Sequence, residues 1–92
     1  MIRSFADEET EAVFRTGSSR RWTSIARVAA RRLQAIDFSS AIEDLIRPPG
    51  NRPKKLKDDP EGQWSIRIND PFRVCFRWDD KDAWDVEIVD YH

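Results

Sequence analysis

Apolar and polar positions alternate with two different periods along this chain, and the change of period divides it. From Glu8 to Ile46 the apolar residues recur at helical spacing, whereas from Gly62 onward they alternate strictly. Ile2-Arg3-Ser4-Phe5 alternates first and suits a short opening strand. Asp7-Glu8-Glu9 then supplies an acidic helix start and Gly17 a stop, which predicts a helix over Glu8–Thr16 with Val13 and Phe14 facing inward. Thr23 or Ser24 is expected to cap a second helix running to about Ile36, with Ile25, Val28, Ala29, Leu33 and Ile36 on one face. Arg27, Arg31 and Gln34 occupy its other face, which suits either solvent or a polyanion.

Asp37 is read as the end of that helix. Ser39 or Ser40 opens a short third one, with Glu43 completing a capping box and Ile42, Leu45 and Ile46 buried. Pro48-Pro49-Gly50-Asn51 breaks it, since proline cannot continue a helix. Arg52 to Lys57 forms a marginal edge strand, and Asp58-Asp59-Pro60-Glu61-Gly62 a turn.

Three strands follow, at Gln63–Ile68, Phe72–Trp78 and Ala83–Tyr91. Keeping Trp64, Ile66 and Ile68 on the same face as Phe72, Val74, Phe76 and Trp78 pairs Ile66 with Val74, because a one-residue slip turns every side chain over. That register sets Arg67 directly opposite Arg73. The same rule pairs Trp78 with Trp84, Phe76 with Val86, Val74 with Ile88 and Arg77 with Asp85. Strict alternation then puts Tyr91 on the arginine face, and Asp90 and His92 on the other. Like charges opposite each other destabilise a sheet, so the Arg67–Arg73 pair calls for a counter-anion, either a protein carboxylate or a phosphate. Trp64 and Trp78 are expected in the core, and Trp22, between Arg21 and Thr23, at the surface.

Composition narrows the class. Ninety-two residues, 36% of them charged, make one small domain spanning 1–92, with no apolar run that could cross a bilayer and no signal peptide. One cysteine, Cys75, gives neither a disulfide nor a zinc pattern, which favours a cytoplasmic setting. The net charge of −1 conceals segregation: residues 47–77 carry eight basic against four acidic side chains, and residues 78–92 one basic against six acidic. The two blocks can neutralise each other on neighbouring strands, or the basic one can bind a polyanion.

There is no Gly-rich phosphate loop, HExxH or GxSxG. What remains is a set needing no metal or cofactor: lysines and arginines from the middle strands, with Asp90-Tyr91-His92 at the end. Cleavage of a phosphodiester by its own 2′-hydroxyl needs such a set. A base takes the 2′-OH proton, a cation stabilises the phosphorane, and an acid protonates the leaving 5′-oxygen. Histidine titrates in the right range for the acid, arginine or lysine holds phosphate, and tyrosine stacks on an exposed base.

Several segments resemble a known family: Met1-Ile2-Arg3-Ser4-Phe5, Leu33-Gln34-Ala35-Ile36-Asp37, Pro49-Gly50-Asn51-Arg52, Leu56-Lys57, Gly62 to Asn69, Phe72 to Trp78, and Val86 to His92. Together they are similar to the HigB toxins of host-inhibition-of-growth toxin–antitoxin modules, within the RelE/ParE superfamily. The resemblance implies an α+β fold, with an N-terminal strand and two to three helices packed on a small, mainly antiparallel twisted sheet. It also implies a ribosome-dependent endonuclease that cuts mRNA in the A site of the 70S ribosome, silenced by a HigA-type helix-turn-helix antitoxin and reaching DNA only through it. Lys57, Arg73, Asp90, Tyr91 and His92 match the family's active-site positions, with Lys54, Lys55 and Arg67 expected to hold RNA backbone. Some members carry histidine where this chain has Lys54; lysine binds phosphate but is a poor neutral-pH base, so the general base stays open. A gyrase-blocking toxin of ParE type and an inactive partner-binding domain are the competing readings, since one fold supports several functions.

Overall fold

The computed structural model describes residues 1–55 and 62–90. In chain order it contains α1 (Glu8–Thr16), α2 (Ala26–Phe38), α3 (Glu43–Ile46), a 3-10 turn at Pro49–Asn51, then β1 (Lys54–Lys55), β2 (Gln63–Arg67), β3 (Phe72–Asp79) and β4 (Asp82–Asp90). The strands form one antiparallel sheet in the order β1-β2-β3-β4. Helices α1 and α2 pack on one face of it, giving the α+β arrangement that the resemblance implies. The expected turn at Asp58–Gly62 and the Leu56-Lys57 segment fall, apart from Gly62, outside the described residues.

The first helix forms as its ends dictate. The Asp7 carboxylate accepts from the Thr10 N–H at 2.7 Å, and Gly17, at φ 78°, closes the last turn by donating its N–H to the Val13 carbonyl. Val13 is fully buried, and Phe14 packs against Phe5 with ring centroids 5.6 Å apart.

The second helix begins and ends later than expected. Its N-cap position is Ile25, without a side-chain cap, because the Thr23 hydroxyl donates instead to the Ser19 and Arg20 carbonyls. Asp37 does not terminate it; the Asp37 carboxylate points away and accepts from the Ile2 N–H at 2.9 Å. The proposed capping box is likewise absent, since buried Ser39 donates back to the Ala35 carbonyl and α3 begins at Glu43 behind an uncapped Ile42. Ile46 is exposed rather than buried, leaving Leu45 to carry the inward face of this single turn.

Apolar side chains from the helices and from the facing side of the sheet make one core. Ile25, Ala29, Leu33 and Ile36 meet Ile66, Ile68, Val74, Phe76, Val86 and Ile88. Full burial of one such aliphatic side chain contributes roughly 1.5–3 kcal/mol. Trp22 belongs to this core, contrary to expectation: the turn before α2 rolls it inward, where it meets Phe72 edge-on at 5.7 Å. Trp64 and Trp78 lie half-buried at its margin.

The β2–β3 register is the expected one, with Ile66 opposite Val74 and Arg67 opposite Arg73. The β3–β4 register agrees only near the chain end, where Val74 faces Ile88 and Arg73 faces Val89. Between Cys75 and Arg77 a bulge shifts it, so that Arg77 faces Trp84 and Trp78 faces Ala83. The extra residue sits in β4, where Asp85 adopts left-handed φ of 54°, a conformation that aspartate tolerates better than most residues. Ala83 therefore enters the core, and Trp84 moves to the face bearing the arginines.

The N-terminal segment explains why the bulge is there. It does not form a full strand but touches β4 through two parallel bridges, Ile2–Ala83 and Phe5–Val86. Ser4 serves the displaced residues: its hydroxyl accepts the Asp85 N–H at 2.8 Å and its carbonyl the Val86 N–H at 3.1 Å. Farther along, the buried Thr10 hydroxyl accepts the Ile88 N–H at 3.0 Å. The outer edge of β4 is thus covered over most of its length, which guards against edge-to-edge pairing.

Candidate functional site

With both long helices on one face, the opposite face of the sheet carries the polar residues of the alternating strands. Three rows cross it. Arg67, Arg73 and Val89 form the first; Lys54, Ser65, Cys75 and Glu87 the second; Gln63, Arg77 and Trp84 the third. The expected juxtaposition of Arg67 and Arg73 is present, and Lys54 lies on the same face one row away.

The two arginines have different partners. Arg67 is paired to a carboxylate: its Nε lies 3.3 Å from Asp70 Oδ1, in a side chain 90% exposed. An ion pair this open to water is worth little and yields readily to a competing anion. The Arg67 carbonyl in turn accepts from Arg32 Nε at 2.8 Å, bringing a third guanidinium close. Burial, and then the charges of Arg67 and Arg31, pull Arg32 below the usual arginine range. Arginine nevertheless stays charged, so the cluster is an electropositive corner.

Arg73 is held by neutral oxygens. Its Nε donates to Ser65 Oγ at 2.9 Å, and its Nη2 to the carbonyls of Ser65, at 3.3 Å, and of Arg52. The Arg52 carbonyl is aimed there by a left-handed backbone, φ 39° and ψ 63°, just after the 3-10 turn. Buried Asn51 anchors that turn by donating to the Leu45 carbonyl at 3.2 Å. These bonds orient the guanidinium without cancelling its charge.

Asp90 pairs with Phe72 in the sheet, beside Arg73 in sequence but on the helix-side parity, as strict alternation requires. Lys55 also takes that parity: it pairs with Trp64 and its Nζ sits 6.0 Å from the indole centroid, away from Arg73. Lys57, Tyr91 and His92 lie outside the described residues. Cys75 is half-buried in mid-strand and forms no disulfide. Among the described residues, no group of three or more His, Cys, Asp and Glu side chains is arranged to hold a metal ion.

Sequence reasoning overlooked Ser65 and Arg52 as partners of Arg73. The signal for Ser65 was present in the register, because it is the diagonal neighbour of Arg73 on the same face. The Arg52 carbonyl had none, since only the left-handed turn brings it there. The third row was misread as well. Arg77 lies 5.4 Å from the Trp84 ring centroid and 4.0 Å from the Asp85 carboxylate, so the expected Arg77–Asp85 pair survives while Trp84 joins it.

Comparison with known proteins bears on the family that the sequence resembles. The model of the HigB-like toxins, described as the RelE-like toxin of the type II toxin–antitoxin system HigB, matches residues 3–92. The chain belongs to this family. It is 34% identical to toxin HigB-1 of Vibrio cholerae serotype O1 (strain ATCC 39315 / El Tor Inaba N16961) over 82 residues, covering 87% of this chain and 86% of that protein. It is also 34% identical to the endoribonuclease HigB of Proteus vulgaris over 94 aligned positions, covering both chains completely. As a member of a type II toxin family, it has an antitoxin as its partner. No helix among the described residues is long and apolar enough to cross a membrane.

Proposed function

We propose that this toxin is a ribosome-dependent endoribonuclease of the cytoplasm, cutting mRNA in the 70S A site by acid–base chemistry and silenced by a HigA-type helix-turn-helix antitoxin. The observation that carries the reading is the Arg67–Arg73 pair at the end of the sheet where β4 delivers Asp90, with Arg73 charged and oriented by neutral oxygens. The name of the Proteus vulgaris relative supports RNA as the substrate.

In the proposed reaction the 2′-oxygen of one nucleotide attacks the adjacent phosphorus. Its proton passes to a base, for which Asp90 is the candidate; Asp90 alternatively orients His92. Negative charge grows on the non-bridging oxygens of the phosphorane, where Arg73 and Lys57 stabilise it, an effect typically worth about 10²–10³ in rate per donor. His92 gives its proton to the departing 5′-oxygen as the P–O bond breaks, leaving a 2′,3′-cyclic phosphate and a 5′-hydroxyl. Tyr91 stacks on or positions a base, and Lys54 and Arg67 hold the backbone, whereas Lys55 takes the opposite parity, over Trp64. A carboxylate is a modest base for this step, and the ribosome compensates by presenting the mRNA already positioned.

His92→Gln tests the reading. Growth arrest on induction and A-site cleavage should both disappear, by about 10²–10⁴ in rate, with the thermal melt unchanged. Full toxicity of this variant would refute the assignment. Primer extension on mRNA from induced cells separates it from a gyrase poison, which would damage DNA and leave the messages uncut.

A further inference from the structure

We propose that Ser65 is a positioning residue for cleavage, which together with the Arg52 carbonyl fixes the Arg73 guanidinium so that its Nη1 donors meet the phosphate. The inference rests on the reading above, in which Arg73 stabilises the phosphorane.

Arginine carries five N–H donors in a planar fork. The bonds to Ser65 Oγ, Ser65 O and Arg52 O take the Nε–H and the two Nη2–H donors, and Nη1 enters none of these three. Ser65 is only 1% exposed, so no bulk water replaces its hydroxyl as the acceptor for Nε. Arg67, directly opposite on β2, repels Arg73 electrostatically and would drive a free arginine side chain outward. The clamp holds it in place against that repulsion.

The chemistry of the acceptors matters as much as their position. A carboxylate at 65 would bind the guanidinium more strongly but would neutralise the charge that the phosphorane requires. A hydroxyl and two carbonyls orient it and leave the charge intact. The left-handed backbone at Arg52, uncommon for a residue other than glycine, is the local cost of aiming the third acceptor. Orientation fixed in the free protein lowers the entropic cost of ordering a long side chain in the transition state.

The test is single-turnover cleavage of mRNA on programmed 70S ribosomes, with binding of the toxin to the ribosome measured alongside. Ser65→Ala should slow the cleavage step about tenfold and change binding by less than about twofold. Ser65→Thr, which keeps the hydroxyl and suits a strand, should restore the rate to within about threefold. Should Ser65→Ala not fold, Ser65→Cys, close in size and a weak acceptor, takes its place with the same expected loss. In an Arg73→Lys background, where there is no Nε–H to hold, removing the hydroxyl should cost nothing further. A wild-type rate for Ser65→Ala, or the same loss in both backgrounds, overturns the positioning role. If Arg73→Lys itself cleaves at the wild-type rate, the phosphate role of Arg73 fails first, and that failure is read separately from any effect at Ser65.

Discussion

Arg73 and Arg77 stand on the same strand and the same face, four residues apart, yet the sheet uses them differently. Arg73 rests on a hydroxyl and two carbonyls, beside another arginine. Arg77 is stacked near Trp84 and faces the carboxylate of Asp85. One guanidinium keeps its charge available, and the other has an aromatic face and an anion supplied by its own fold. The difference comes from β4. Near Val89 the strand is regular and sets no carboxylate directly opposite Arg73, whereas the bulge at Asp85 brings an indole opposite Arg77 and leaves the Asp85 carboxylate 4.0 Å from it. Residue type alone therefore does not single out Arg73 as the candidate for holding phosphate; its partners do.

That contrast can be broken by substitution. Arg73→Ala should reduce A-site cleavage by about 10²–10³, with little change in melting temperature, because in the proposed mechanism the lost interaction is made in the transition state. Arg67→Ala should cost only a few-fold, mostly in binding, and should lower the salt dependence of binding by about one phosphate contact. Arg77→Ala should leave cleavage within about twofold of wild type and cost at most about 1 kcal/mol in thermal or urea unfolding, the range of an exposed pair with a cation–π contact. A larger catalytic loss at Arg77 than at Arg73 would invert the comparison.

How far the sequence reveals these two ends follows from the same strand. Between β2 and β3, both apolar sets are long and alternating, so one register alone buries them, and Arg67 opposite Arg73 follows directly. Between β3 and β4, Trp84, Val86 and Ile88 alternate just as well, but the inference fails at Trp84. Ala83 is the better fit beside the N-terminal segment, and Ser4 stabilises the extra residue through its hydroxyl, which accepts the Asp85 N–H. That contact spans nearly the whole chain, and no local pattern announces it. Helix ends divide in the same way. Asp7 and Gly17 act within their own helix and are legible. Thr23, Asp37 and Ser39 look like caps or stops but serve a preceding turn, the Ile2 N–H and the Ala35 carbonyl. At the candidate site the arginine row was legible from alternation, while the oxygens that orient Arg73 depend on a diagonal contact and a left-handed turn.

The central claim is tested most directly by mapping cuts on a defined mRNA held on 70S ribosomes, with wild-type, Arg73→Ala and Arg77→Ala toxins compared at equal ribosome occupancy. The account predicts a discrete cut in the A-site codon for wild-type and Arg77→Ala, and its loss for Arg73→Ala. Equal cutting by both arginine variants, or no A-site cut by the wild-type protein, would contradict it.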